Sequence, residues 1–362
     1  MKHKKCIKSD FYKSLVLTIS VSAIILLIIN QEAVTKNCKS AIYICINTII
    51  PVLLPIQILS YFLLHIGLPL TIKEKSNKPL LYLFGMSGNS AIGLLLAMCG
   101  GYNAAIKTAI ALYDQKEITL QEAVKLSILF SNPGISFCIL IFGIEVNKSL
   151  ISGLTVFIVS NLVSCIIAFI ANRFKPQLSV VEIIKNTKDC PLSDSLVSAV
   201  NKAGRTVILI CLWILAFSVI KSLFGCIISN PSFTRIFEVF SDITTGIFTA
   251  RQNYSLAFSI FALMSGGLCI LLQQLEDIRL LKIKISELLF IKIINSAITT
   301  TISAAILKLP VFCDSVTTFS HKIKPLSGTP ISALSVLLLL FVFFSLLYER
   351  KTVNIQSNDI AL

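Results

Sequence analysis

Apolar runs of roughly 17 to 25 residues recur along almost the whole chain, and a helix of that length crosses a hydrocarbon core about 30 Å thick. They lie at 14–30, 41–66, 125–144, 150–172, 206–228, 256–272, 288–307 and 331–348. No stretch between them has room for a separate soluble domain. The reading is an all-α polytopic membrane protein with about 8–10 transmembrane or re-entrant segments. Composition agrees: 55% of the 362 residues are apolar and 14% charged, and a soluble domain so built would precipitate.

The net charge of +14 raises the question of nucleic acid. The lysines and arginines sit in short loops between apolar runs, where they act as topology signals and touch anionic lipid. No aromatic cluster is interleaved with them, so the partner is the lipid bilayer and not nucleic acid. Lys2, Lys4, Lys5, Lys8 and Lys13 precede the first run, which lacks a small-residue cleavage site. An uncleaved first helix with a cytoplasmic N-terminus is expected.

The eleven cysteines are scattered, without any Cys-x-x-Cys pair, and the histidines are His3, His65 and His321. This argues against a disulfide framework, a metal site and any metal cofactor.

The chain then divides into a tail and first helix (1–40), a first membrane repeat (41–172), a basic cytoplasmic linker (173–205), a second repeat (206–307), and a polar loop with a last helix and tail (308–362). Pro51 and Pro55 should kink the second run. Parity of the basic loops requires 80–112 to enter and leave on one face. Gly85, Ser87, Gly88, Asn89 and Ser90 interrupt it, so it reads as a re-entrant hairpin of two short arms or as one span with a displaced loop.

A polar break followed by an apolar helix with a glycine pair occurs in each half. Ser87 to Ser90 precedes Gly100-Gly101, and Asp242 to Gly246 precedes Gly266-Gly267. Duplicated breaks of this kind point to inverted repeats with broken helices around a midplane site. Bare amides are tolerated at membrane depth only inside protein or beside a wet cavity. Ser87, Asn89 and Ser90 would offer hydroxyl and amide groups to a small polar solute. Asp242, Thr244 and Thr245 would offer a carboxylate and two hydroxyls to that solute or to a coupling cation. The same residue types also cap short helices. Asn132, beside Pro133 and Gly134, marks a third break, and Tyr102 and Asn103 add a hydroxyl and an amide beyond the glycine pair. Lys107 is an ionisable residue near a helix end, where it can snorkel.

Gly85-Met-Ser87-Gly88 has the form of an intramembrane serine-protease motif, but the one histidine after it, His321, sits in a polar loop between basic residues. Without a buried base the serine is not activated, and no catalytic residue is expected.

The strings Ser87 to Ala91, Gly100 to Tyr102, Ala104 to Lys107 and Leu112 to Asp114 resemble the YlbJ-type sporulation integral membrane proteins of the nucleoside-recognition (Gate) group. The likeness continues at Gln121 to Ala123, Phe130 to Asn132, Phe137, Ile243 to Gly246 and Gly266 to Cys269 with Gln273. Two departures stand out: Asn103 to Ile106 replaces the usual Pro-Val-Gly-Ala, and Asp242 replaces a glutamate. The resemblance implies a multi-pass protein in the cell membrane of a sporulating cell, needed for spore cortex formation. It also implies a solute pathway, nucleoside-like or cell-wall-related, that includes Gln273. A non-transporting scaffold that gathers sporulation membrane partners, or self-associates as a homo-oligomer, is the competing expectation.

Overall fold

The computed structural model describes residues 2–66, 70–174, 191–228 and 230–309. The reading of a last span at 331–348, and most of the basic linker and C-terminal segment, lie outside the described residues. The described chain is all-α, with helices α1 (Lys2–Ile29), α2 (Gln31–Ile44), α3 (Ile50–Ile66), α4 (Leu70–Phe84), α5 (Ala91–Gly100), α6 (Tyr102–Asp114) and α7 (Leu120–Leu129). After a π-helical stretch, Ser136–Val146, come α8 (Leu150–Phe174), α9 (Leu192–Ile227), α10 (Pro231–Ser241) and α11 (Ile243–Asn253). Then follow α12 (Leu256–Ser265), α13 (Gly267–Gln273), α14 (Leu275–Leu280) and α15 (Ile285–Leu307). Five helical spans among the described residues are long and apolar enough to cross a membrane: Gln31–Ile66, Leu150–Phe174, Leu192–Gly225, Leu256–Gln273 and Ile285–Leu307.

The span Gln31–Ile66 joins α2 and α3 through a π-helical turn, Cys45–Ile49. The wider turn sits just before Pro51 and Pro55, whose missing N–H groups would otherwise break the regular ladder. This span pairs along its length with α9. Asn37 donates to Ser222 Oγ at 2.8 Å near one end, Tyr61 and Thr206 share a 3.0 Å hydrogen bond, and Ser198 meets His65 at 2.9 Å near the other. The two helices are therefore antiparallel, and they define a first face, at His65 and Ser198, and a second face, at Asn37 and Ser222.

Each of the two helices is followed by a hairpin too short to cross. Beyond α3, helices α5 and α6 fold back on each other at Gly101, so that Gly93 packs against Leu112 and Thr108. An arm of 10 residues is about 15 Å long, half the hydrocarbon core. Both ends of this hairpin lie on the first face, where Lys73 of α4 pairs at 2.8 Å with Glu117, just past α6. Beyond α9, helices α10 and α11 fold back at Asp242 with Gly246 against Val239 and Arg235 reaching Asn253 at 3.5 Å. This second hairpin enters from the second face.

A broken crossing follows each hairpin. Helix α7 stops at Leu129, the chain runs irregularly to Ile135, and the π-helical stretch carries it to the second face, where Asn147 accepts from Arg251 Nε at 3.0 Å. Helix α12 starts on the second face, breaks at Gly266, and continues as α13 and α14. Unbroken spans, α8 and α15, close the two halves. Span, hairpin, broken crossing and span thus occur twice with opposite direction, an inverted repeat.

Two sequence boundaries change. The run at 125–144 is no single span, because Pro133 and Gly134 part it into α7 and the π-helical stretch. The run at 256–272 stays one span, Leu256–Gln273, interrupted locally at Gly266, where φ is 72°. The linker read as extending to 205 is already helix from Leu192. Between 80 and 112 the hairpin reading holds, but its tip is Gly100-Gly101, and Gly85 to Ser90 forms the 96° bend between α4 and α5.

Candidate functional site

The tip of each hairpin rests on the break of the crossing that follows it. Gly101 adopts φ 87° and ψ −165°, outside the range of residues with a Cβ, and a Cβ there would lie 2.6 Å from the Gly134 nitrogen. In the second half a Cβ on Gly267 (φ 68°) would lie 3.0 Å from the Phe240 carbonyl oxygen. Only backbone can come this close to backbone, so glycine fixes where the tips dock.

Asp242 is the second tip. Its backbone is extended (φ −138°, ψ 131°), which ends α10 and lets its side chain cap α11: Oδ2 accepts from Thr245 N at 3.0 Å and from Thr245 Oγ1 at 3.1 Å. Lys221 of α9 donates to the same Thr245 hydroxyl at 2.5 Å. Asp242 and Thr244 are both fully buried. Among the described residues Asp242 Oδ1 and Thr244 Oγ1 have no hydrogen-bond partner, an expensive condition for a buried carboxylate oxygen.

A cavity of about 30 Å³ lies between the tips. Its wall combines Gly100, Gly101, Tyr102 and Asn103 from the first tip, Gly134 from the first break, Asp242 and Thr244 from the second tip, and Cys269 and Gln273 from α13. Gln57 of α3 also lines it and donates to the Gly100 carbonyl at 3.4 Å. A cavity of that size has room for water and lies far below the several hundred Å³ of a site holding a larger organic ligand. In this arrangement the tips are closed on each other.

The first hairpin is also tied to the second half. Tyr102 OH donates to the Leu263 carbonyl in the last turn of α12, Gln274 Nε2 donates to the Tyr102 carbonyl at 2.8 Å, and Asn103 Nδ2 to Gln273 Oε1 at 2.8 Å. Lys292 of α15 is buried with its ammonium 4.5 Å from the Tyr102 ring centroid, a cation–π contact. Beside it is the C-terminal end of α12, where a positive charge is favoured.

A second cavity, of about 240 Å³, opens nearer the second face, lined by Asn37, Ser40, Ser218, Lys221, Glu238, Thr245 and Thr249 among others. Ile214 borders both cavities. Thr245 belongs to this outer cavity and, through its bond to Asp242, joins it to the inner one.

Of the residues singled out in the sequence, Tyr102, Asn103, Asp242, Thr244 and Gln273 meet at the inner cavity, with Thr245 one bond away. Ser87, Asn89 and Ser90 do not. They pack at the first face, where Glu122 accepts from the Ser87 amide, Asn77 accepts from the Gly88 amide at 2.8 Å and Asn89 donates to the Glu117 carbonyl at 2.9 Å. Asn132 is also elsewhere, in a buried network where it donates to Ser164 Oγ at 2.7 Å and accepts from Asn295 Nδ2 at 2.9 Å. It ties the first break to α8 and α15. Lys107 reaches Thr206 Oγ1 at 3.5 Å and does not line the cavity.

Gln57, Lys221, Glu238 and Lys292 were not among the sequence candidates. Lys292 had a signal, an ionisable residue inside an apolar run. Gln57 had a weaker one, an amide two residues after Pro55. No group of three or more His, Cys, Asp and Glu side chains gathers into a metal site among the described residues. No family model, curated protein or solved structure matches the chain.

Proposed function

We propose that this membrane protein binds a small polar solute between its two hairpin tips and carries it across the bilayer by alternating access. One observation carries the reading. Hairpins that enter from opposite faces meet tip to tip at polar groups, the buried Asp242 and Thr244 and the half-buried Asn103, beside two broken crossings. Irregular backbone at membrane depth is tolerated only inside protein or beside a wet cavity, and ionisable groups there mark solute and ion pathways. The outer cavity at Lys221 and Glu238 supplies a polar approach from the second face, and movement of a hairpin would enlarge the inner one to solute size. The resemblance to YlbJ-type proteins supports a nucleoside-like or cell-wall-related solute, the cell membrane of a sporulating cell as the location, and a need for the protein in building the spore cortex.

The test is a thermal-shift screen of the detergent-purified protein against nucleosides, amino acids, sugars and peptidoglycan precursors. A ligand well above its dissociation constant stabilises the folded state by mass action. The expected result is a shift by one chemical class that Asp242→Ala abolishes. Silence across all four classes would contradict the reading.

A further inference from the structure

We propose that Tyr61, Lys107, Thr206 and Asp277 form a gate that shuts the inner cavity toward the first face. Gln57 of α3, Asn103 of α6, Ile210 of α9 and Gln273 of α13 all border that cavity. Four residues nearer the first face along the same paths stand Tyr61, Lys107, Thr206 and, in α14, Asp277. Four residues of helix advance by about 6 Å and return to the same side. The second set therefore makes a layer directly below the first.

The layer is joined across all four elements. Tyr61 and Thr206 share their 3.0 Å hydrogen bond, and Lys107 Nζ reaches the same Thr206 oxygen at 3.5 Å. Helix α14 packs on α6, which brings the Asp277 carboxylate within electrostatic reach of Lys107 and Tyr61. Thr206 is buried and the other three are half-buried, and opposite charges so sheltered attract more strongly than at an open surface. One turn above, Asn103 donates to Gln273 at 2.8 Å. Helix α6 is thus held to α13 and α14 by two polar contacts in succession. Toward the second face the chain leaves instead the cavity of about 240 Å³ that reaches Thr245, beside Asp242. Passage to the first face requires α6 and α14 to part, which separates Lys107 from Asp277. Attraction between charges on two packed elements that can part gives the gate two discrete positions.

The purpose of the gate rests on the transport reading, but its closure is measured without solute. Cys269 lines the inner cavity and is buried. In the full-length protein with Cys269 as its one cysteine, the test measures the rate of labelling by a membrane-impermeant thiol reagent offered at the first face of sealed vesicles. The expected result is slow labelling in the parent. Lys107→Asp or Asp277→Lys alone sets like charges against each other and should raise the rate about tenfold, in proportion to the population of the open form. The exchanged pair, Lys107→Asp with Asp277→Lys, should return it to the parent value. Glu276→Gln, exposed beside Asp277, should leave it unchanged. If neither charge reversal folds, Asp277→Asn, which keeps the shape, should raise the rate by a smaller factor. Labelling as slow in every single variant as in the parent would overturn the proposal, and so would an exchanged pair as open as either single change. A solute hit in the thermal-shift screen with Cys269 protected throughout sinks the gate and leaves the transport reading; a rate that rises and recovers, with silence in that screen, does the reverse.

Discussion

Gly101 and Gly134 meet backbone to backbone, so that a methyl group on Gly101 would lie 2.6 Å from the Gly134 nitrogen. This contact joins the first hairpin tip to the first broken crossing. Gly101→Ala would combine that clash with a φ of 87°, which side chains rarely adopt. It is expected to cost about 2 kcal/mol or more, read as a lower melting temperature in detergent. An unchanged melting temperature would mean that the tip does not dock here.

The buried network of Asn132, Ser164, Asn295 and Thr299 should behave as a unit. Asn295→Leu leaves two partners unpaired and should cost about 1–2 kcal/mol. Adding Asn132→Leu should cost less than the sum of the two single changes, because both remove the same bond. Additive losses in chemical denaturation would contradict the shared network.

Lys292 has no carboxylate partner among the described residues and is buried in α15. Replacing an unpaired buried ammonium by an apolar chain of similar length removes a desolvation cost while losing one cation–π contact. Lys292→Met is therefore expected to melt at or above the wild-type temperature. A marked loss of stability would instead make the contact with Tyr102 a structural one.

At the first face, Glu122 does two jobs: with Thr119 it forms the capping box of α7, and it accepts the Ser87 amide at the bend before α5. Glu122→Ala should cost about 2 kcal/mol by losing both, and Glu122→Gln should recover only part of it, since Ser87 and Thr119 donate to different carboxylate oxygens and the amide has one acceptor oxygen. Equal losses in the two variants, measured by thermal melting, would show that the charge and not the hydrogen bonds matters.

Much of this fold is legible in residue order because lipid leaves a helix few choices. The apolar runs locate the spans, and Pro133-Gly134, Asp242 and Gly266 locate breaks at positions where the ladder does fail. Which break faces which is less legible. Ser87 to Ser90 resembles Asp242 to Gly246 in composition, yet the partner of Asp242 across the cavity is Gly100-Gly101. The first tip carries no charge to mark it, and its position follows from glycine contacts with Gly134 that are 33 residues apart in the chain. The early start of α9 has a local sign. Ser195, Ala199, Ala203 and Val207 recur every fourth residue and are buried, but they are too small to register as an apolar run against Asp194, Lys202 and Arg205.

The claim on which the rest depends is that the two hairpins enter from opposite faces. In a cysteine-free background, a single cysteine at Gln115, between α6 and α7, and another at Asn253, at the end of α11, can each be challenged with a membrane-impermeant thiol reagent in sealed vesicles of known orientation. The account predicts labelling from opposite sides, each site protected until the reagent reaches its own face. Labelling of both sites from the same side would contradict the inverted repeat, and with it the cavity shared by the two tips.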